Sequence, residues 1–220
     1  MELPLYQEVM LLALRNRQGT FATGFVEPLL GGAILSELLL EGRIRIAQDK
    51  SHLVEVVDAS PMEDGILDEA LDAIVRAKRR ASLKTWITRA GHLPRLRLRV
   101  VGDLVERGIL RETEDTVLLV FKRKRYPEID PKPEQEILGR LEAVIFHGAP
   151  LTDERTAMLL ALAHGAHLLF DIMGTKAIKA KVKHIESLIQ CEEIGQATRE
   201  TIQALQAAVT MAILIPILIS

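Results

Sequence analysis

The sequence predicts a mainly α protein: a helical bundle around a buried C-terminal helix, with two small β-hairpins. Three observations predict it. Hydrophobic residues make up 48% of the chain but aromatics only 4%, so the core rests on Leu, Ile, Val and Ala, which favours helices over a β-sandwich. Apolar residues recur at three- and four-residue intervals through most of the chain, the spacing of one helix face. A pattern of helix, glycine, strand, polar turn and strand occurs twice, once around Gly42 and once around Gly108.

Taken in order, Tyr6 to Arg15 is an apolar, helix-compatible opening, followed by a turn at Asn16 to Gly19 and an irregular segment from Thr20 to Pro28. The helix after Leu29 carries Ile34, Leu35, Leu38 and Leu39 on one broad stripe. Gly42 stands where a helix end needs positive φ. Arg43 to Ile46 alternates as a half-buried strand does, Asp49-Lys50-Ser51 is turn chemistry, and Leu53 to Val57 is the returning strand. Asp58 to Gly65 reads as a loop. Ile66 to Arg80 reads as an amphipathic helix with acids early and Arg76, Lys78, Arg79 and Arg80 late, an order that suits the helix dipole. Ser82 caps a short helix through Trp86 that Gly91 stops. Pro94 opens a helix from Arg95 to Arg107, and Gly108 ends it. The second hairpin is expected to turn at Glu112 to Asp115 and return from Val117 to Lys122.

Tyr126 to Pro133 holds three prolines and forbids a continuous helix, so an internal break is expected near residues 126–133 of an otherwise single domain. Everything after it reads helical: Glu134 to Phe146, a segment capped near Thr152-Asp153 and running to Met173, Thr175 to Gln190, and Glu192 to about Leu214. The last is apolar nearly all round near its end, which marks a central helix. Its apolar run from Ala207 to Ile219 contains Pro216 and falls short of the ~20 residues of a spanning helix, so a buried helix is expected there rather than an anchor. The N-terminus has no basic stretch before an apolar one and does not read as a secretory signal.

Formal net charge is −2, so any preference for nucleic acid or membrane must be local. The clearest local signal spans Ala73 to Gly102. It contains no acidic residue, yet carries Arg76, Lys78, Arg79, Arg80, Lys84, Arg89, Arg95, Arg97 and Arg99. Either these form a solvated face balanced by acids brought near in space, or they form an anion-binding surface. Lys122 to Arg125 is a second basic cluster. Gly31-Gly32 is read as close helix packing in preference to a phosphate site at a helix start. His164, His167 and Asp171 have metal-compatible spacing, but the segment is core-like and no further ligand is placed by spacing. The lone Cys191 is read as inert, and an internal disulfide is excluded. No P-loop, GxSxG or strand-linked GxGxxG occurs, and nothing assembles a nucleophile, base and oxyanion site. No catalytic residue, metal ligand or cofactor is therefore expected.

Several segments together resemble a known family. EVMLLALRNRQGTF, GGAILSELLLEGRIRI, ILDEALDAI, the Trp86 helix, VVGDLVERGIL and MLLALAHGAHLL come in the order seen in the Golgi phosphoprotein 3 family. The most specific parts are Leu35 to Ile46 and Leu104 to Leu110. The resemblance covers the chain from about Glu8 onward, implies a Golgi phosphoprotein 3-like domain, and points to a bacterial-type member. It implies a mainly helical, non-enzymatic, cytoplasmic peripheral membrane adaptor that binds phosphatidylinositol 4-phosphate or another anionic headgroup. Cytoplasmic segments of membrane proteins would be its partners, with self-association besides.

Carried across residue by residue, the family's headgroup Trp falls at Ala22, its first Arg at Gly31, and two further basic positions at Pro94 and Arg97. Arg97 is kept, with Arg95 beside it, so Arg97, Arg95 and Arg89 are the lipid-binding candidates. Phe21 and Phe25 are candidates for hydrophobic membrane contact. The family's self-association hairpin matches Thr116 to Tyr126, and Val117, Leu119, Phe121 and Lys122 are its candidate residues. A rival reading takes the helix from Pro94 and the hairpin with its basic exit as a winged-helix nucleic-acid binder.

Overall fold

A computed structural model describes residues 2–15, 20–21, 26–47, 52–117, 121–190 and 196–219, with backbone alone at 15, 20–21, 115–117, 121–123, 196–197 and 214–219. The described chain is mainly α, with small antiparallel strand pairs and no larger sheet among the described residues.

The helix buried on every side is α2 (Val26–Leu40). Every residue from Leu29 to Leu38 is buried, including the polar Ser36 and Glu37. Around it pack α1 (Leu5–Ala13), α3 (Gly65–Val75), α4 (Leu83–Gly91), α5 (Leu96–Glu106), α7 (Glu154–Gly165) and α11 (Gln196–Ile219). The C-terminal helix α11 is buried along one stripe, through Ile202, Leu205, Val209 and Ile213, while Gln203, Ala207 and Met211 face outward.

Two adjacent glycines let α2 be gripped from both sides. A Cβ on Gly31 would lie 2.1 Å from the Ile87 carbonyl oxygen of α4, and one on Gly91 would lie 2.4 Å from the Glu27 carbonyl oxygen of α2. The two backbones thus touch reciprocally, as only glycine allows. On the opposite side, a Cβ on Gly32 would meet Val209 Cγ2 at 2.6 Å and Leu162 Cδ2 at 2.8 Å. The expectation that Gly31-Gly32 serves close helix packing is met.

The quasi-repeat is real at the level of backbone geometry. Gly42 (φ +64°) ends α2, with Arg43 N–H donating to Leu38 O at 2.9 Å and Gly42 N–H to Leu39 O at 3.0 Å. Gly108 (φ +71°) ends α5, with Ile109 N–H donating to Leu104 O at 3.0 Å and Gly108 N–H to Val105 O at 2.9 Å. Both are Schellman caps. The first leads into β3 (Ile44–Ile46) and β4 (Val54–Val56), with Ile44 opposite Val56 and Arg45 opposite Glu55. The expected turn residues 49–51 lie outside the described residues. A further pairing joins β1 (Leu14–Arg15), at the end of the stretch expected to be helical, to β2 (Thr20–Phe21), at the start of the segment expected to be irregular.

The second hairpin departs from expectation. Its strands are β5 (Thr113–Val117) and β6 (Phe121–Arg125), so Glu112 to Asp115 is not the turn. The register sets Glu114 opposite Lys124 and Asp115 opposite Arg123, and Lys124 Nζ lies 2.7 Å from Glu112. Glu114 and Asp115 are strand residues set opposite the cations of the returning strand, a stabilising cross-strand arrangement. Ile109 and Leu110, expected in that first strand, are buried and pair instead with the proline-rich stretch. Ile129 N–H donates to Ile109 O at 2.9 Å and Arg111 N–H to Pro127 O at 3.0 Å, tying residues 127–130 to the segment after α5.

Helix ends differ elsewhere. Asp64 caps α3, its carboxylate accepting from Ile66 and Leu67 N–H at 3.0 Å each, and Tyr6 OH donates to its other oxygen at 2.5 Å. The helix stops at Val75, so Lys78 to Arg80 lie in the connection after it instead of in its last turn. Ser82 and Asp153 cap α4 and α7 as expected. After α6 (Lys132–Phe146) and α7, the helix expected to reach Met173 breaks at His167 (φ +58°) before α8 (Leu168–Met173). His164 and His167 therefore do not share one continuous helix. The segment from Thr175 is likewise two pieces, α9 (Thr175–Lys179) and α10 (Val182–Ile189).

Buried charges fix α1 and α2 to the second half of the chain. Glu37, 5% exposed, accepts from Arg155 of α7 at 2.6 and 3.0 Å and from the Leu5 N–H at the start of α1 at 2.6 Å. Glu8, 3% exposed, pairs with Arg140 of α6 at 2.6 Å. Burial pushes the Glu8 carboxyl above its ordinary value, and Arg140 only partly offsets this.

Two predictions follow from this packing. Ala is about 1 kcal/mol better than Gly inside a helix, so Gly31→Ala would stabilise an open site. Here the added methyl meets backbone, and the substitution should cost about 3 kcal/mol or more in urea unfolding. Gly32→Ala meets only side-chain ends that can rotate and should cost about 1–3 kcal/mol. For Glu8, burial makes the folded state release its carboxyl proton at a higher pH than the unfolded chain does. Its contribution to stability is therefore complete below the ordinary glutamate value and declines as pH rises through the higher folded value. Unfolding free energies measured from pH 4 to 7 should show that decline in the parent, and Glu8→Gln should flatten it.

Candidate functional site

The basic segment folds as the end of α3, the connection to α4, α4 itself and the tight turn into α5. Its path is fixed by backbone pairing with the first hairpin. Val54 N–H donates to Ala81 O and Leu83 N–H to His52 O, both at 3.0 Å, so residues 81–83 run alongside β4. Leu83, Trp86, Ile87 and Ala90 face the core from α4, and its outward face presents Lys84, Thr88 and Arg89.

Tertiary structure divides the nine cations. Arg76 pairs with Asp72 at 2.8 Å. Arg80 pairs with Glu55, Arg97 with Glu27, and Arg99 with Glu69 while also donating to the Gly65 carbonyl at 3.0 Å. Arg89 lies 4.7 Å above the Trp86 ring, a cation–π contact that orders its side chain. Among the described residues, Lys78, Arg79, Lys84 and Arg95 have no acidic partner, and all four are exposed. Four cations are thus paired with acids, Arg76 with its helical neighbour and Arg80, Arg97 and Arg99 with acids from other segments, while Lys78, Arg79, Lys84, Arg89 and Arg95 face solvent.

The lipid-binding candidates separate accordingly. Arg97 lies on the α5 side that also carries Val100 and Leu104, and it reaches back to Glu27 in the first turn of α2, so its charge is countered internally. Arg95 is exposed, with φ +54°, at the N-cap of α5. One turn on, Leu98 is 55% exposed, leaving an apolar side chain beside the cation. Arg89 is exposed on α4. Gly31, where the family pattern has Arg, lies in the α2–α4 contact, which has no room for a side chain. Ala22, Phe25 and Leu119 lie outside the described residues. Phe21, Val117, Phe121 and Lys122 are described by backbone alone: Phe21 pairs with Leu14, Val117 with Phe121, and Lys122 with Thr116.

Residues missed by sequence reasoning are Glu27, Glu55 and Arg45. Arg45 and Arg80 both bind the Glu55 carboxylate, which is 18% exposed, and Arg45 Nη2 lies 2.9 Å from it. The alternation of Arg43 to Ile46 marks Arg45 as outward-facing, but no sequence signal joins it to Arg80. The nucleic-acid reading gains no support. The α5 helix turns Val100, Val101 and Leu104 into the core, and the basic exit of the hairpin faces acids across the strand pair.

Among the described residues no group of three or more His, Cys, Asp or Glu side chains could hold a metal ion. No described helix is long and apolar enough to cross a membrane.

Comparison with known proteins gives a consistent result. The sequence profile of the family described as Golgi phosphoprotein 3 (GPP34) matches residues 5–205. The chain is 28% identical over 207 residues to vacuolar protein sorting-associated protein 74 of Eremothecium gossypii, covering 79% of this chain and 62% of that protein. It is 29% identical over 164 residues to the protein of the same name from Schizosaccharomyces pombe, covering 65% of this chain and 48% of that one. The chain thus spans between about half and two thirds of the length of these relatives.

Proposed function

The chain belongs to the Golgi phosphoprotein 3 family, and from that premise we propose that it is a non-enzymatic peripheral membrane adaptor that binds anionic lipid through the basic face of α4 and its flanking turns. The observation that carries the reading is the set of exposed cations without acidic partners: Lys78, Arg79, Lys84 and Arg95, together with Arg89 on Trp86 and the exposed Leu98. Basic side chains at an anionic surface contribute about 1 kcal/mol each, and an apolar side chain among them can enter the interface.

The internal pairing of Arg97 with Glu27, and the filled space at Gly31, favour recognition of anionic surface charge over a phosphatidylinositol 4-phosphate pocket at the family's usual place. On this reading the protein works at the cytoplasmic face of a membrane. Phe21 and Phe25 supply further apolar contact, cytoplasmic segments of membrane proteins are its clients, and the hairpin through Val117, Leu119, Phe121 and Lys122 mediates self-association.

Flotation with lipid vesicles tests this. The protein should float with vesicles containing phosphatidylserine at low salt, and should be released as salt rises. The triple variant Lys84→Gln, Arg89→Gln, Arg95→Gln should bind roughly a hundredfold more weakly, about 1 kcal/mol per charge. Equal binding to neutral and anionic vesicles, or no binding to either at low salt, would overturn the reading. Glu27→Gln should strengthen binding, since it removes a negative charge from the edge of the basic face.

A further inference from the structure

Beside the basic face lies a recess of about 300 Å³ between the first hairpin and the α3–α4 connection. Three guanidiniums line it: Arg45 from β3, and Arg79 and Arg80 from the connection. Trp86 and Val54 contribute its apolar wall. The recess is held in shape by backbone, because the pairing of residues 81–83 with β4 sets the connection against the hairpin. Glu55 binds both Arg45 and Arg80, so those two side chains are oriented before any ligand arrives. Arg79 has no acidic partner among the described residues.

We propose that this recess is a phosphomonoester site, with Arg79 as its principal anion-binding residue and Arg45 and Arg80 as oriented flanking donors. The charge balance decides the class of ligand. Three arginines against one glutamate leave a net +2. A phosphomonoester carries about −1.5 to −2 near pH 7 and offers three acceptor oxygens, whereas a diester carries a single charge. Guanidinium forks match such oxygens in pairs, and ordering them beforehand reduces the entropy lost on binding. Gly31, Pro94 and Arg97 do not line the recess, and none of its arginines falls at a headgroup position carried over from the family. As a lipid site it rests on the reading of the chain as a binder of anionic membranes. A soluble phosphate ester would use the same chemistry without a membrane.

The test uses two kinds of probe. Flotation compares vesicles containing phosphatidic acid, a monoester, with vesicles containing phosphatidylglycerol, a diester, at matched surface charge. Thermal unfolding compares inorganic phosphate with chloride at equal ionic strength. Arg79→Ala and Arg45→Gln are compared with Lys176→Gln, which removes an equal charge from α9, a helix that contributes no residue to the recess lining. The expected result is preference for the monoester vesicles, about tenfold weaker monoester binding in Arg79→Ala, and no loss of preference in Lys176→Gln. Stabilisation by phosphate that Arg79→Ala abolishes, without vesicle binding, would keep the site, assign it to a soluble phosphate ester, and overturn the membrane reading. Equal binding to the two anionic vesicles, with no phosphate effect dependent on Arg79, would overturn the site and leave the membrane reading standing. A parent that binds neither vesicle type and gains nothing from phosphate would overturn both.

Discussion

The reciprocal contact of Gly31 and Gly91 is the constraint on which the architecture turns. It brings the α2 and α4 backbones together where a single methyl would lie about 2 Å from a carbonyl oxygen. Close approach places Trp86 and Ile87 in the core, so the opposite side of α4, with Lys84 and Arg89, must face solvent. It also brings the start of α2 beside the α4–α5 turn, within reach of Arg97. The site is therefore a consequence of the packing: the helix that carries the exposed cations is held by the glycine that leaves no room for a headgroup arginine at Gly31.

Charge is handled differently inside and outside the bundle. Within it, Glu37 and Glu8 are buried and matched to Arg155 and Arg140, and Glu37 also satisfies the first amide of α1. Removing one partner of such a pair typically costs about 3–5 kcal/mol, which ties the two halves of the sequence to one another. On the surface, pairs such as Arg76–Asp72 contribute little to stability, typically under about 1 kcal/mol. Their consequence is electrostatic: they cancel charge at some arginines and leave it at others, concentrating the field around Arg79, Lys84 and Arg95.

The second hairpin shows how local reading fails. Glu112 to Asp115 has the composition of a turn, and only the register of Glu114 and Asp115 against Lys124 and Arg123 makes Thr113 to Asp115 part of a strand. A cross-strand partner supplies energy that local propensity does not contain. The same holds for Ile109 and Leu110, which take their backbone partners from the proline-rich stretch. It holds again for Lys78 to Arg80, which continue the helical pattern of α3 in sequence but lie beyond its last turn.

The sequence by itself determined the helical class, the cap residues Gly42, Ser82, Asp153 and Gly108, the paired-glycine contact and the family, because these depend on local stereochemistry and on the order of segments. It also located the basic segment. Only the tertiary structure decided which cations are cancelled, since Glu27 and Glu55 come from distant parts of the chain, and sequence separation carries no information about distance in space. For the same reason only the fold joined Arg45 to Arg79 and Arg80. A strand and a loop that are far apart in sequence meet there because the backbone of residues 81–83 pairs with β4.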